Sequence, residues 1–302
     1  MGRDELEGSA QAKGEVMESA RHSAKALGHP RVEIGSRRLA KRDWGARRAL
    51  ELFFLLMGHP EGLTREQILE HLFPECDQVS GDGLFHSTLY RCRQAVGKDT
   101  ILWDDDIYQI ADLGSWGYDV AQFETLVKRA GETMEENVAR ELHESAIRLY
   151  EGDYLEGLVS EWCEATRLRL RHLYTRSVLF LAHSYAELDL HEKALELFRL
   201  AIAKDYYLEA AHKGAVDSLL TLGDRLAAMR HYLDLVERLK RDVPSEERQQ
   251  IPGLVEEILG MSLGDLISAR GSVRYSGSDP GGRSSSRRGE QVVDSPTPRA
   301  MD

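Results

Sequence analysis

The sequence has 302 residues, 42% of them hydrophobic, which is enough for two domains with buried cores. No apolar run approaches the roughly 18 residues that a membrane span needs, so we expect a cytoplasmic protein with no membrane partner. The 3 cysteines form no CxxC pair, which favours reduced thiols, and the net charge of −12 argues against a surface that is basic throughout.

Residues 1–30 are small, polar and weakly patterned, and we interpret them as a disordered N-terminal segment. The next stretch, 31–48, carries seven Arg or Lys residues and only two acids. A locally basic stretch in an acidic protein can contact phosphates. A solvated basic surface would have the same composition, so both interpretations of this stretch remain open.

Residues 31–113 show the element order of a winged helix. "RVEIGSRRL" indicates a short strand pair, and "WGARRALELFFLLMGH" and "PEGLTREQILEHLF" indicate two helices. In the second helix Thr64 is a good N-cap, and Gln67 three residues later completes a capping box. "TILWDDDIYQIA" indicates two short strands around an acidic turn. We expect this region to fold on its own core and to place its third helix in the major groove of DNA.

The third helix is predicted over 83–97, "GLFHSTLYRCRQAVG". Phe85, Leu89, Cys92 and Val96 lie on one stripe of this helix and are predicted to be core. On the opposite face Arg91 is the first candidate for reading a base, because a forked guanidinium fits the O6 and N7 acceptors of guanine. The candidate DNA contacts of the helix and its flank are Ser87, Tyr90, Arg91, Gln94, Arg93 and His86.

Four candidate DNA contacts lie outside the third helix. Thr64 and Arg65 open the second helix, where backbone N–H groups can hold a phosphate. Arg47 and Arg48 are candidates for contacts to the DNA backbone. Each of these has a simpler alternative, because capping alone explains Thr64 and the arginines suit an exposed helix. Arg93, near the edge of the core, could likewise form a structural ion pair.

Residues 118–260 are almost entirely helical in pattern. "YAELDLHEKALELFRLAI" and "LLTLGDRLAAMRHYLDLV" align at an offset of 34 residues, so that Ala194 matches Ala228 and Phe198 matches Tyr232. This period, with a small residue where paired helices approach, is typical of tetratricopeptide repeats. The tail, 270–302, is rich in Gly, Ser, Pro and Arg and is predicted to be disordered.

The predicted fold class is mainly α: a winged helix-turn-helix of mixed structure, followed by an all-α tetratricopeptide-like domain. A winged helix before "YDVAQFETLVKRA" and "AIRLYEGDYLEGLVSEWCEATRLRLRHLY" resembles the Streptomyces antibiotic regulatory protein (SARP) family. In that family an OmpR/PhoB-type winged helix precedes a bacterial transcriptional activator domain. The resemblance implies a DNA-binding transcriptional regulator, usually an activator.

The same resemblance implies partners. Such regulators bind repeats in promoter DNA as dimers or higher oligomers, and they contact RNA polymerase. The "PECDQVSGDG" loop between the second and third helices resembles the loop that touches the polymerase in OmpR-type proteins, although it could be only a long turn. No G-x-x-x-x-G-K-[ST] motif indicates an ATPase domain, and no receiver domain precedes the winged helix.

No motif indicates an enzyme, a metal site or a cofactor. No set of His, Cys and Glu residues has metal-ligand spacing. "HESA" at 143–146 lacks the second His of H-E-x-x-H, and "GLVS" offers no G-x-S-x-G elbow. One alternative is an interaction scaffold whose winged helix no longer binds DNA, which the acidic residues Asp104, Asp105 and Asp106 at the hairpin tip favour. Another is a sensor whose helical domain binds a small metabolite.

Overall fold

The computed structural model describes residues 22–76, 78–244 and 248–268. Its N-terminal part combines two small sheets with three helices. In chain order the elements are β1 (His22–Lys25), β2 (Arg31–Ile34), β3 (Arg37–Arg38), α1 (Arg47–Met57), β4 (Leu63–Thr64), α2 (Arg65–Leu72), α3 (Gln78–Val96), β5 (Ile101–Asp104), β6 (Ile107–Ile110) and β7 (Trp116–Tyr118).

The two sheets enclose α1. One sheet has the strand order β3-β2-β1-β7, in which β7 runs parallel to β1 and the other pairs are antiparallel. The other has the antiparallel order β4-β6-β5, and its β5–β6 hairpin is the wing. α1 is apolar nearly all round, as expected of a central helix, and Phe53 packs between Trp44 at 5.7 Å and Trp116 at 5.1 Å.

The C-terminal part is helical throughout the described residues. Its elements are α4 (Asp119–Glu132), α5 (Glu136–Leu149), α6 (Glu164–Glu187), α7 (His191–Lys204), α8 (Glu209–Thr221), α9 (Arg225–Asp242), α10 (Ile251–Leu259) and α11 (Leu263–Ser268). Neighbouring helices pack as antiparallel hairpins. Ala194 and Ala228 are both fully buried, as the 34-residue repeat predicted. The predicted fold class, mainly α with a mixed N-terminal region, is confirmed.

Two helix-level predictions hold in detail. Phe85, Leu89 and Cys92 are all buried on the inner face of α3. The capping box at the start of α2 is present: the Thr64 hydroxyl accepts from the Gln67 backbone N–H at 3.2 Å, and the Gln67 side-chain oxygen accepts from the Thr64 N–H at 2.8 Å. Local periodicity and capping chemistry were therefore sufficient to define these features.

Two predictions about irregular segments are wrong. Residues 22–30, predicted to be disordered together with 1–21, contain β1, which is held between β2 and β7; residues 1–21 and the tail 270–302 lie outside the described residues. The "PECDQVSGDG" stretch is mostly helix, because α3 begins at Gln78 and not at 83. Gly81 lets α3 approach α2 closely there, since an added Cβ would lie 3.3 Å from a Leu69 methyl.

Backbone pairing joins the two parts of the chain. The segment that follows β1 pairs with the segment that follows α5: Leu155 N–H donates to the Ala26 carbonyl at 2.7 Å, and Glu156 N–H donates to the Gly28 carbonyl at 2.9 Å. The first residue of α4, Asp119, accepts the N–H groups of Ala26 and Leu27 on its carboxylate at 2.8–3.0 Å. These hydrogen bonds tie the N-terminal sheet directly to the helical part.

Candidate nucleic-acid interface

The outer face of α3 carries a row of exposed polar side chains. His86, Ser87, Tyr90, Arg91 and Gln94 are all exposed, and the Tyr90 ring is 64% accessible. Within the described residues Arg91 and Gln94 make no side-chain hydrogen bond and no salt bridge. The Ser87 hydroxyl donates to the Leu84 carbonyl of its own helix at 3.0 Å, which leaves its lone pairs free to accept. This row lies on the face of α3 opposite the buried apolar stripe, where the sequence analysis predicted it.

α3 is held against the wing by one aromatic contact and one hydrogen bond. The rings of Phe85 and Tyr108 meet edge to face, with centroids 5.1 Å apart. Arg93, which was predicted to contact DNA, donates instead to the Ile101 carbonyl at the start of β5, at 2.8 Å. The side chain of Arg93 is half-buried because it lies on the flank that turns toward the hairpin. It therefore positions the helix on the wing and is not presented to solvent.

The side chains at the start of α2 bind neighbouring parts of the chain. Arg65 forms a salt bridge with Asp82 in the first turns of α3. Thr64 is occupied by its capping box with Gln67. These two candidates therefore stabilise the packing of α2 and α3, which explains their residue types without a bound phosphate.

Arg47 and Arg48, the candidates for contacts to the DNA backbone, both have an acidic partner within the chain. Both bind the carboxylate of Glu51, which is fully buried, and the Arg47 Nε lies 2.7 Å from it. Arg47 also donates to the Ser160 hydroxyl at 3.3 Å, and the Arg48 guanidinium lies 5.4 Å above the Phe73 ring. A buried carboxylate needs such charge partners. The two arginines therefore belong to the junction between the two parts of the chain.

Three basic residues that the sequence analysis did not single out lie just before α1, and two of them belong to a turn beside α3. Arg38, Lys41 and Arg42 are exposed, and none of them forms a salt bridge in the part of the chain that the structure describes. Lys41 and Arg42 belong to a single 3₁₀ turn that packs on α3. A Cβ added at Gly45, just after this turn, would lie 3.7 Å from the Arg91 Cδ.

The 3₁₀ turn is fixed by Asp43. Its carboxylate accepts the Ala40 N–H at 2.7 Å and pairs with Arg37 at 3.0 Å. The Ala40 hydrogen bond and, after it, the Arg37 guanidinium keep the pKa of Asp43 below its usual value. The basic stretch 31–48 indicated this region from the sequence. The fold was needed to show which of its side chains form salt bridges and which do not.

The wing ends in a tight acidic turn. Asp105 and Asp106 have φ values of 48° and 62°, and positive φ at both central residues is what a two-residue hairpin turn requires. Asp104, Asp105 and Asp106 are exposed and form no salt bridge with any described residue. Trp103 beside them is 59% exposed. The charge of the predicted acidic turn is therefore fully presented to solvent.

Among the described residues, no cluster of three or more His, Cys, Asp or Glu side chains could hold a metal ion. No helix in the described part of the chain has the length and hydrophobicity of a membrane span.

Comparisons with family models and with solved structures both find matches. Residues 118–259 match the model of the bacterial transcriptional activator domain. Among solved structures, the chain is similar to Mycobacterium tuberculosis EmbR, determined in complex with a low affinity phosphopeptide: the TM-score is 0.61 at 12% identity, over 82% of this chain and 70% of that chain. No curated protein sequence matches.

The likeness to EmbR concerns the fold, since the identity is low. It extends over both the mixed N-terminal part and the helices, and so supports the domain order predicted from the SARP resemblance. The helical part is the region that the family model identifies. Residues 118–259 therefore match the bacterial transcriptional activator domain, and a winged-helix-like region lies directly before them.

Proposed function

We propose that this chain is a sequence-specific, DNA-binding transcriptional activator whose α3 enters the major groove. The observation that carries the proposal is the row of exposed side chains on α3, in which Arg91 and Gln94 are unpaired within the described structure. A winged helix presents its third helix to the major groove. On α3 the core stripe and the exposed row lie on opposite faces, which is the arrangement that such docking needs.

The side chains on this face match the acceptors and donors of bases. The Arg91 guanidinium suits the O6 and N7 of guanine, and the Gln94 amide suits the N6 and N7 of adenine. Tyr90 and Ser87 suit phosphate oxygens or a thymine methyl. Two adjacent readers of this kind favour discrimination between sequences over non-specific attachment.

Phosphate contacts would come from the turn beside α3. Arg38, Lys41 and Arg42 are exposed and carry no acidic partner within salt-bridge distance among the described residues. Cations that replace condensed counterions supply most of the general affinity for duplex DNA. Arg38, Lys41 and Arg42, and not Arg47 and Arg48, would then contact the phosphates.

The helical domain would supply self-association and contacts to RNA polymerase. This part of the proposal rests on the match of residues 118–259 to the bacterial transcriptional activator domain. Binding of two copies to two DNA repeats makes the second contact effectively intramolecular, which raises the overall affinity. We therefore propose a dimer or higher oligomer on repeated promoter sites.

The test is selection of bound sequences from random duplex DNA by the full chain. We expect enrichment of a short motif, repeated at a fixed spacing. The same selection with the paired substitutions Arg91→Ala and Gln94→Ala is the matched control and should yield no motif. An unenriched pool from the unmodified chain would contradict sequence-specific binding.

A second candidate function is favoured by one observation, the exposed acids of the wing. Asp104, Asp105 and Asp106 lie where negative charge opposes DNA binding. In this alternative the chain is an interaction scaffold and the helical domain binds a peptide. The selection experiment separates the two functions, because a scaffold would enrich no DNA motif.

A further inference from the structure

A cavity of about 560 Å³ lies at the junction between the winged-helix-like region and the helical domain. One wall comes from the end of α1, from α2 and from β7; the other comes from α4, the 153–163 segment and α6. Cavities of this size at domain interfaces are the usual sites of small ligands. It does not overlap the exposed face of α3.

The wall of this cavity is mainly aromatic and aliphatic. The aromatic members are Trp116, Tyr118, Tyr154 and Trp162, and they are joined by Leu55, Met57 and Val120. Tyr154 is only 2% exposed, and the Tyr118 hydroxyl is buried without a hydrogen-bond partner among the described residues. Burial is the main reason why the pKa of Tyr154 is raised, so the hydroxyl stays protonated at neutral pH.

A few polar groups converge on the same space. The rings of His59 and His71 lie with centroids 6.0 Å apart, and the His59 Nδ1 is 2.7 Å from the Leu55 carbonyl, to which it donates. That bond leaves the His59 Nε2 for another partner. The indole N–H of Trp162 is buried without any acceptor among the described residues. A buried donor without an acceptor costs free energy that a suitable ligand would recover.

We propose that this cavity binds a small planar aromatic molecule that carries a hydrogen-bond acceptor such as a carbonyl, carboxylate or sulfonate. The aromatic walls stack on the ring system, and the Trp162 N–H and the histidine edge receive the polar end. Glu124 and Arg169 also line the cavity and form a salt bridge, and their side chains remain 35% and 54% exposed. Because these side chains reach solvent, a ligand can enter beside them without unfolding either region.

The probe for the test is 1-anilinonaphthalene-8-sulfonate, a planar aromatic sulfonate whose fluorescence rises in apolar surroundings. We expect the full chain to bind one equivalent saturably. Ala121→Trp should fill the cavity from α4, where Ala121 lines the space and is exposed. Gln122→Trp places the same ring one residue along α4, outside the cavity, and is the matched control.

The expected result is at least a tenfold loss of affinity in Ala121→Trp and unchanged binding in Gln122→Trp. Gly114→Trp is a second filling variant, because an added Cβ at Gly114 meets no atom within 4 Å, and it should behave like Ala121→Trp. Trp162→Phe keeps a ring and removes the N–H, so it should weaken binding by roughly 2- to 12-fold. The proposal is overturned if the unmodified chain shows no saturable binding, or if the filling variants bind the probe as it does.

Discussion

Arg91 and Arg93 are two residues apart on α3 but have opposite surroundings. Arg91 is exposed and unpaired within the described structure, whereas Arg93 donates to the Ile101 carbonyl of the wing at 2.8 Å. Sequence spacing put Arg91 on the outer face and Arg93 near the edge of the core, but it could not show that Arg93 turns toward the hairpin. That depends on where β5 lies, which is a tertiary fact. Truncating Arg91 should therefore affect DNA binding, whereas truncating Arg93 should affect the stability of the fold.

We predict that Arg91→Ala weakens binding to a selected DNA site by about 1–3 kcal/mol without changing thermal stability, because a bidentate contact to guanine is lost. Arg93→Ala should instead lower the free energy of unfolding by about 1–2 kcal/mol, since it removes a charge-assisted hydrogen bond. DNA titration and thermal melting of both variants measure the two effects. Arg129→Ala, an exposed arginine on α4, is the control. Equal DNA affinity of Arg91→Ala and the control would exclude Arg91 as a reader.

Asp153 shows what the "LYEGDYLEGL" stretch does in the fold. Its carboxylate pairs with Arg171 at 2.6 Å, accepts the Tyr150 hydroxyl at 2.9 Å and lies 3.6 Å from the Lys204 Nζ. The Tyr150 ring stacks on Tyr174 with centroids 4.2 Å apart. Partial burial opposes the charge of Asp153, but Arg171, Tyr150 and Lys204 outweigh it, and the pKa of Asp153 is lowered. The stretch therefore joins α5, α6 and α7.

We predict that Asp153→Asn lowers the free energy of unfolding at pH 7. Because the folded-state pKa of Asp153 lies below its unfolded value of about 3.9, its carboxylate stabilises the fold above that pH. This stabilisation is lost as the pH falls through the folded-state pKa. Chemical denaturation from pH 7 down to pH 3 should therefore show a difference between the two proteins that shrinks below about pH 4. A difference independent of pH would mean that the charge of Asp153 is not what stabilises the junction.

At the scale of elements, the helices and the strand pairs β2–β3 and β5–β6 were predictable, but β1 was not. An apolar stripe predicted α3 and a capping box predicted α2, and both are local patterns. β1 is the four-residue strand "HSAK", which has no alternating pattern long enough to read. It is a strand because Ala24 and its neighbours pair with β2 on one side and β7 on the other. A partner over 90 residues away in sequence leaves no local signal.

The same pairing bears on the expectation that 31–113 folds alone. That fragment lacks β1 and β7, two neighbouring strands of the four-stranded sheet, and it lacks Trp116, which packs on Phe53. We predict that fragment 31–113 is largely unfolded at room temperature, whereas fragment 22–118 shows a cooperative thermal transition. Circular dichroism of the two fragments measures this. Matching transitions would show that β1 and β7 add little to the stability of the region.

At the scale of the whole molecule, the net charge is negative, but a group of exposed basic side chains lies in the N-terminal part. The chain carries −12 overall, yet Lys41 and Arg42 are exposed beside α3, Arg38 is exposed in β3, and the wing adds a separate acidic tip. Composition alone predicted a poor partner for DNA. The fold shows that basic and acidic side chains occupy different parts of the same region, and that Arg47 and Arg48 share one buried carboxylate, that of Glu51.

The acidic wing has a consequence for general DNA affinity. Non-specific binding depends on neutralising phosphates and releasing counterions, so three exposed carboxylates near the backbone would oppose it on every sequence. We predict that changing Asp104, Asp105 and Asp106 together to Asn strengthens binding to random DNA and to the selected site by similar factors. Asn tolerates the positive φ values of the turn, so the hairpin should keep its shape. The gain should be largest at low salt, where screening is weakest.

The measurement is the affinity for both DNAs across a salt series from about 0.01 M to 0.1 M, over which the screening length falls from about 30 Å to about 10 Å. A control with the same change in net charge uses exposed acids of the helical domain, through the substitutions Glu135→Gln, Glu141→Gln and Glu192→Gln. If this control gains as much as the wing variant, net charge and not the position of the wing sets general affinity. If neither DNA binds more tightly to the wing variant, the wing points away from DNA. A gain confined to the selected site would mean that the acids obstruct a base contact, because removing a uniform repulsion cannot favour one sequence over another.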